Sequence, residues 1–192
     1  MESAAIGFRV KSGYAVAVAV TGRAESPAAL LRHRVELSDP AVVETRQPFH
    51  AAFGTAQEDP AIIERLVKII EGCAKRSLAA LLDAGELAAH QVRGSCLVVG
   101  STIDPAAVAN PHIRAHASEG RLFRSVVEQT LASRGIECSV IVEKQLAAEA
   151  SSRLKRPKPD ITRTLVEFGR NLGAPWRTDE KAAALAAWLA LL

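Results

Sequence analysis

Short apolar runs with strand-like alternation open the chain. Ala4 to Val10, Tyr14 to Thr21 and Leu30 to Leu37 carry small and branched residues over strand lengths, and Lys11-Ser12-Gly13 is short enough to join the first two as a hairpin. Residues 22–28 (GRAESPA) read as a second turn, which predicts three consecutive antiparallel strands. Residues 38–58, containing RQPFHAAFG, show no clear period and are expected to wrap a surface or an edge. The period then becomes helical. Asp59-Pro60 supplies an N-cap and a proline at the first helical position, and Ile62, Ile63, Leu66, Ile69, Ile70 and Cys73 follow at helical spacing, predicting a helix to His90 interrupted near Gly85. Ser95 to Gly100 (SCLVVG) has the continuous apolar pattern of a strand buried on both faces. Asn110-Pro111 starts a second long helix that ends at Arg134-Gly135, and Cys138 to Val142 supplies a fifth strand. Helices are expected at Gln145 to Leu154, at Asp160 to Leu172 and from Thr178 onward. The order predicts an α/β fold: three antiparallel strands followed by βαβα crossovers in a mixed five-stranded sheet, with helices on both faces.

Composition bounds this picture. A chain of 192 residues, 48% apolar and 23% charged, fits one domain over 1–192. The longest charge-free run is about eleven residues, roughly half of a membrane-spanning helix, so no membrane insertion is expected. The net charge of +3 equals the excess of Arg153, Lys155, Arg156 and Lys158 over Asp160 in residues 151–160, so a broadly basic nucleic-acid-binding body is not indicated. Two prolines in that stretch predict an extended basic loop before the C-terminal helices. Four phosphate contacts there would give log K a salt slope of about −3.6, enough for weak non-specific binding. At 4% aromatic residues, stacking platforms for single strands are scarce. Cys73, Cys96 and Cys138 form no C-x-x-C pair, which suits reduced thiols in a cytoplasmic protein. YAVAVAV behind Arg9 and Lys11 imitates a signal peptide, but its alternation and the following Thr21-Gly22 favour a strand and turn.

The opening IGFRVKSGYAVAVAV, the stretch EKQLAAEASSRLKRPKPDITRTLVEFGRNL and the closing DEKAAALAAWLALL resemble, in order and type of element, the ribonuclease-H-like superfamily and within it the RuvC-type resolvases. The resemblance spans almost the whole chain and implies a nuclease whose clustered carboxylates hold two Mg²⁺ ions roughly 3.5 to 4 Å apart. It places the first metal-binding Asp on or near Arg9, the acidic residue after the fourth strand near Gly100, and the inner carboxylate of the closing helix among Ala182, Ala183 and Ala184. Asp179 and Glu180 remain in the first turn of that helix, where an N-cap at Thr178 and the helix dipole also account for them. These departures argue against two-metal nuclease chemistry.

Other polar clusters suggest different chemistry. On a helical wheel from His112, His116 falls at about 40° and Glu119 at about −20°, so both continue the apolar stripe toward Phe123 and Val127. His-x3-His-x2-Glu on one face leaves three readings open: a structural histidine network, a crevice bearing an acid-base or ligand-binding group, or a transition-metal site. No H-E-x-x-H, P-loop or G-x-G-x-x-G occurs, and no cofactor is assigned beyond that divalent-metal alternative. Gly100, Ser101 and Thr102 follow a buried strand and can offer N–H groups and hydroxyls to an anion, with Arg9, Lys11 and His50 adding positive charge over the same crevice. The alternative for Arg9 is pairing with a carboxylate such as Glu119 or Glu143.

Three functional readings follow. The first is a ribonuclease-H-like domain, not a standard two-metal nuclease, that binds nucleic acid or a phosphate-bearing ligand through Arg9, Lys11, His50, Ser101, Thr102 and the basic loop. The second is a hydrolase rebuilt around His112, His116, Glu119, Glu143 and Glu180. The third is a homo-oligomer that packs through Leu185, Trp188, Leu189 and Leu192 of the closing helix.

Overall fold

The first two strands close on the expected hairpin, and the sheet grows from it. The computed structural model describes residues 2–51, 55–83 and 85–192. Strand β1 (Ser3–Lys11) pairs antiparallel with β2 (Tyr14–Arg23), which pairs antiparallel with β3 (Ser26–Glu36). On its other side β1 runs parallel to β4 (Gln91–Val99), and β4 runs parallel to β5 (Glu137–Val142), giving the order β3-β2-β1-β4-β5. Helices α1 (Pro60–Asp83), α2 (Gly85–Ala88), α3 (Pro111–Ala132), α4 (Glu143–Leu154), α5 (Lys158–Leu172) and α6 (Thr178–Leu189) complete the chain. The predicted mixed five-stranded α/β fold is the observed one. Among the described residues no helix is long and apolar enough to cross a membrane.

Three boundaries differ from the sequence pattern. Pairing of Arg23 with Ser26 reduces the second turn to Ala24 and Glu25, and β3 begins before Pro27 because an edge strand tolerates proline. Strand β4 starts at Gln91, where it pairs with Ser3; exposed Gln91 and Arg93 conceal its first residues from a search for apolar runs. In residues 38–58, Val43–Arg46 forms a 3-10 turn around buried Thr45, and residues 52–54 of RQPFHAAFG lie outside the described residues.

Alternation along β1 divides the core. Ala4, Ile6, Phe8 and Val10 pack with Ile70, Ala74 and Leu78 of α1 and with Phe123, Val127 and Leu131 of α3. On the other face Ala5 joins Val16, Val18 and Val20 of β2 against Phe168 and Ala183, Ala184 and Ala187 of α6. Close approach of α6 to the sheet depends on Gly7, where an added Cβ would lie 1.9 Å from the Ala183 carbonyl oxygen and 2.3 Å from the Ala187 nitrogen. The closing helix is therefore central, which corrects the oligomer reading. Leu185, Trp188 and Leu189 are buried within this chain, Trp188 donates to the Ala24 carbonyl at 2.8 Å, and only Leu192 of the four proposed contact residues is exposed.

All three cysteines are free, and burial raises each thiol, Cys138 to about 11. At pH 8 the folded protein should therefore react far more slowly with a maleimide than the urea-unfolded chain. Equal labelling rates in the two states would show that the thiols are not shielded.

Candidate functional site

The sheet's register brings one cation to two carboxylates. Arg9 is next to the last residue of β1 that points toward α6, and it lies opposite Val98, which in turn lies opposite Ile141. Glu143, the first residue of α4, thus emerges just past the end of β5, and Asp179 emerges from the first turn of α6. Arg9 Nη2 donates to Glu143 Oε2 at 2.5 Å, its Nη1 donates to the carbonyls of Val10 and Val98 at 3.1 and 3.3 Å, and its Nε lies 3.7 Å from Asp179 Oδ1. Lys11 Nζ completes the group at 3.3 Å from Asp179 Oδ1. Two cations and two carboxylates balance locally. The Arg9 side chain is only 6% exposed, and its charge is directed at its own chain. Of the two carboxylate partners expected for Arg9, Glu143 is the one found, and Arg9 also lines the crevice beside it.

Beside this group is an open crevice of about 390 Å³ between the ends of β1 and β4 and the first turns of α3. Its walls include Val10, Val99, Ile103, Val108, Ile113 and Phe123, and its polar lining includes Arg9, Lys11, Ser12, Ser101 and His116. Ser101 Oγ accepts from Ile103 N at 3.1 Å, which fixes the turn after β4. Thr102 is exposed next to Ser101 and is not among the residues that line the crevice.

A histidine cluster forms at the same end of the sheet. The predicted stripe on α3 holds from Glu119, which is 1% exposed, through Phe123 and Val127, but His112 and His116 are exposed. The first turns of α3 flank the crevice at the strand ends, so the histidines have no sheet to pack against. They instead meet His50, with ring centroids 5.1 Å (His50 to His112), 4.3 Å (His50 to His116) and 4.6 Å (His112 to His116) apart. His50 Nδ1 donates to Glu119 Oε1 at 2.6 Å, and His116 Nδ1 lies 3.6 Å from Glu119 Oε2. A sequence period could not reveal this contact of His50, because its segment has none.

Two further expectations are corrected. Glu180 Oε2 accepts from Arg177 N at 2.8 Å, so this carboxylate caps α6 and does not join the histidines. With Glu143 committed to Arg9, the hydrolase reading keeps only His112, His116 and Glu119 in one place. Residues 151–160 are not an extended loop. Helix α4 ends at Leu154 as expected, Lys155 closes it in a left-handed conformation at φ 51°, and α5 begins at Lys158, two residues before the expected Asp160. Helix α4 starts at the crevice end of the sheet and, at about 1.5 Å per residue, carries this turn about 18 Å away. There Arg153 donates to the Leu189 carbonyl at 3.5 Å, and Arg156 donates to the Glu25 carbonyl at 2.5 Å. Arg153, Lys155, Arg156 and Lys158 therefore form no common site with Lys11 and Ser101.

No family model matches the chain, and no curated protein matches it in sequence. Among solved structures, Thermus thermophilus RuvC in complex with Holliday junction substrate matches with a TM-score of 0.56 and 10% identity, covering 97% of this chain and 91% of that one. A second Thermus thermophilus RuvC structure matches at 0.53 and 11% identity, over 97% and 92% of the two chains. The fold is that of the RuvC resolvases. Ydc2, the yeast mitochondrial Holliday junction resolvase, matches at 0.50 and 8% identity over 97% of this chain and 78% of its own. On this RuvC fold the two Mg²⁺ ions implied by the resemblance do not fit. Where the resemblance expects the first-strand Asp the chain carries Arg9, already held by Glu143 and Asp179, and where it expects the acidic residue after β4 it carries exposed Gly100. An arginine there repels divalent cations and takes up the carboxylates that would hold them.

Proposed function

We propose that this chain is a nucleic-acid-binding protein of the RuvC fold that engages a phosphate backbone at the crevice end of its sheet without two-metal phosphodiester cleavage. The observation that carries it is Arg9, a buried cation on β1 clamped by the carboxylates of α4 and α6. Binding is supported by the likeness in fold to RuvC bound to a Holliday junction, and by Lys11, Ser12 and Ser101 at the polar mouth of the crevice. Lys11 keeps about a third of its side chain in solvent, so it can serve Asp179 and a phosphate together.

Fluorescence anisotropy with a four-way junction, a duplex and a short single strand, over a range of salt, tests this directly. Lys11→Glu should weaken junction binding about tenfold and reduce the magnitude of the salt slope by about 0.9, the contribution of one phosphate contact. Replacing exposed Lys155 and Lys158 with alanine at the far end should leave affinity within about twofold. Binding that depends on Lys155 and Lys158 but not on Lys11 would place the contact elsewhere and overturn the proposal, as would no binding at low salt.

A further inference from the structure

We propose that His50, His112 and His116 form a binding site for one transition-metal ion of the Zn²⁺ class, distinct from the metal positions implied by the RuvC fold. Three observations converge. One ligand nitrogen from each ring lies within 4.8 Å of those of the other two. The Nε2 atoms of His112 and His116 are 3.3 Å apart, close to the roughly 3.3 Å between neighbouring nitrogens on a tetrahedral Zn²⁺ with Zn–N near 2.0 to 2.1 Å. His50 supplies the independent sign of a ligand. Its side chain is 6% exposed and its Nε2 is buried with no hydrogen-bond partner among the described residues.

Glu119 sets the chemistry of the site from behind. By accepting from His50 Nδ1 it fixes that proton and leaves the lone pair of the neutral ring on Nε2, the form a metal ion requires. Its other oxygen, Oε2, is buried without a hydrogen-bond partner among the described residues and lies nearest to His116 Nδ1, at 3.6 Å. One buried carboxylate thus orients His50 and lies beside His116. The protein offers the ion imidazoles alone, which selects Zn²⁺, Co²⁺ or Ni²⁺ over Mg²⁺. His116 also lines the crevice, so a fourth coordination position on that side takes water or an anionic oxygen such as phosphate.

The test uses tag-free, chelator-stripped full-length protein. Isothermal titration with Zn²⁺ alone should give one ion per chain at micromolar or tighter dissociation constant, and Co²⁺ should give the visible absorption of a four-coordinate site with three nitrogen ligands. His112→Ala and His116→Ala, both at exposed positions, should each weaken binding about a hundredfold while the far-ultraviolet circular dichroism stays unchanged. Glu119→Gln, a change in a positioning residue, should weaken it about 10- to 100-fold and alter the Co²⁺ spectrum, which a purely structural role would not do. Absence of stoichiometric binding to the wild type at micromolar Zn²⁺ would overturn the proposal. Unchanged affinity in the His112→Ala/His116→Ala double variant would do the same, because the ion would then be held elsewhere. No nucleic acid enters these measurements, so failure here and failure of junction binding are separate results.

Discussion

Arg9→Asp should lose about 3 to 5 kcal/mol of stability in EDTA, the range expected when a charge is left buried without a compensating partner, and should recover part of it in millimolar Mg²⁺. The substitution places a third carboxylate beside Glu143 and Asp179, which already lie within 2.5 and 3.7 Å of the guanidinium. Without a cation the three repel one another across a site that β1 and β4 hold rigid. A divalent ion offers the neutralisation that Arg9 provides in the native chain. Arg9→Leu is the control: Glu143 and Asp179 keep side-chain exposures of 42% and 27%, so water can solvate them, and the loss should be smaller and indifferent to Mg²⁺. Urea unfolding followed by circular dichroism, with and without Mg²⁺, measures all three proteins. Equal stability of the two variants, with no response to Mg²⁺, would show that Arg9 does not stand in for a metal.

Gly7→Ala is expected to destabilise the fold by about 3 kcal/mol or more, the upper end for overpacking. The added methyl would lie 1.9 Å from the Ala183 carbonyl oxygen and 2.9 Å from the Ala186 carbonyl carbon, and both are backbone atoms that no rotamer change can move. Relief requires α6 to lift from β1, which opens the layer of Ala5, Val18, Ala183, Ala184 and Ala187. The melting temperature should fall by roughly 6 to 12 °C for a domain of this size. Gly94→Ala, where the new Cβ would meet the Ala190 carbonyl oxygen at 3.1 Å and the Ala190 Cβ at 3.9 Å, should lower it much less. Equal shifts for the two variants would contradict the close seating of α6 on β1.

The parts of this molecule that could be read in advance were those with a period. The β1–β2 hairpin, the long helix after Asp59-Pro60 and the helix after Asn110-Pro111 follow from alternation and helical spacing, and together they set the order of the sheet. The site was only partly legible, because its partners come from distant segments. Arg9 and Glu143 are 134 residues apart, and His50 and Glu119 are 69 apart. His112, His116 and Glu119 could be grouped by helical spacing, but His50 enters through a segment with no pattern. Asp179 and Glu180 are adjacent in sequence yet divide in role, one facing Arg9 and the other capping α6, according to which side of the helix start each occupies. The basic cluster misled because charge and proline suggest an extended loop, whereas Lys155 closes α4 within a single turn.

The proposed function puts the fixed Arg9 cation in place of the two metal ions that the resemblance implies. It is tested most directly by incubating a labelled four-way junction with the protein in Mg²⁺ and following complex formation and strand integrity in the same sample. The expected result is a retarded complex whose strands remain full length after prolonged incubation. Mg²⁺-dependent cuts near the junction, abolished in Asp179→Asn, would contradict it.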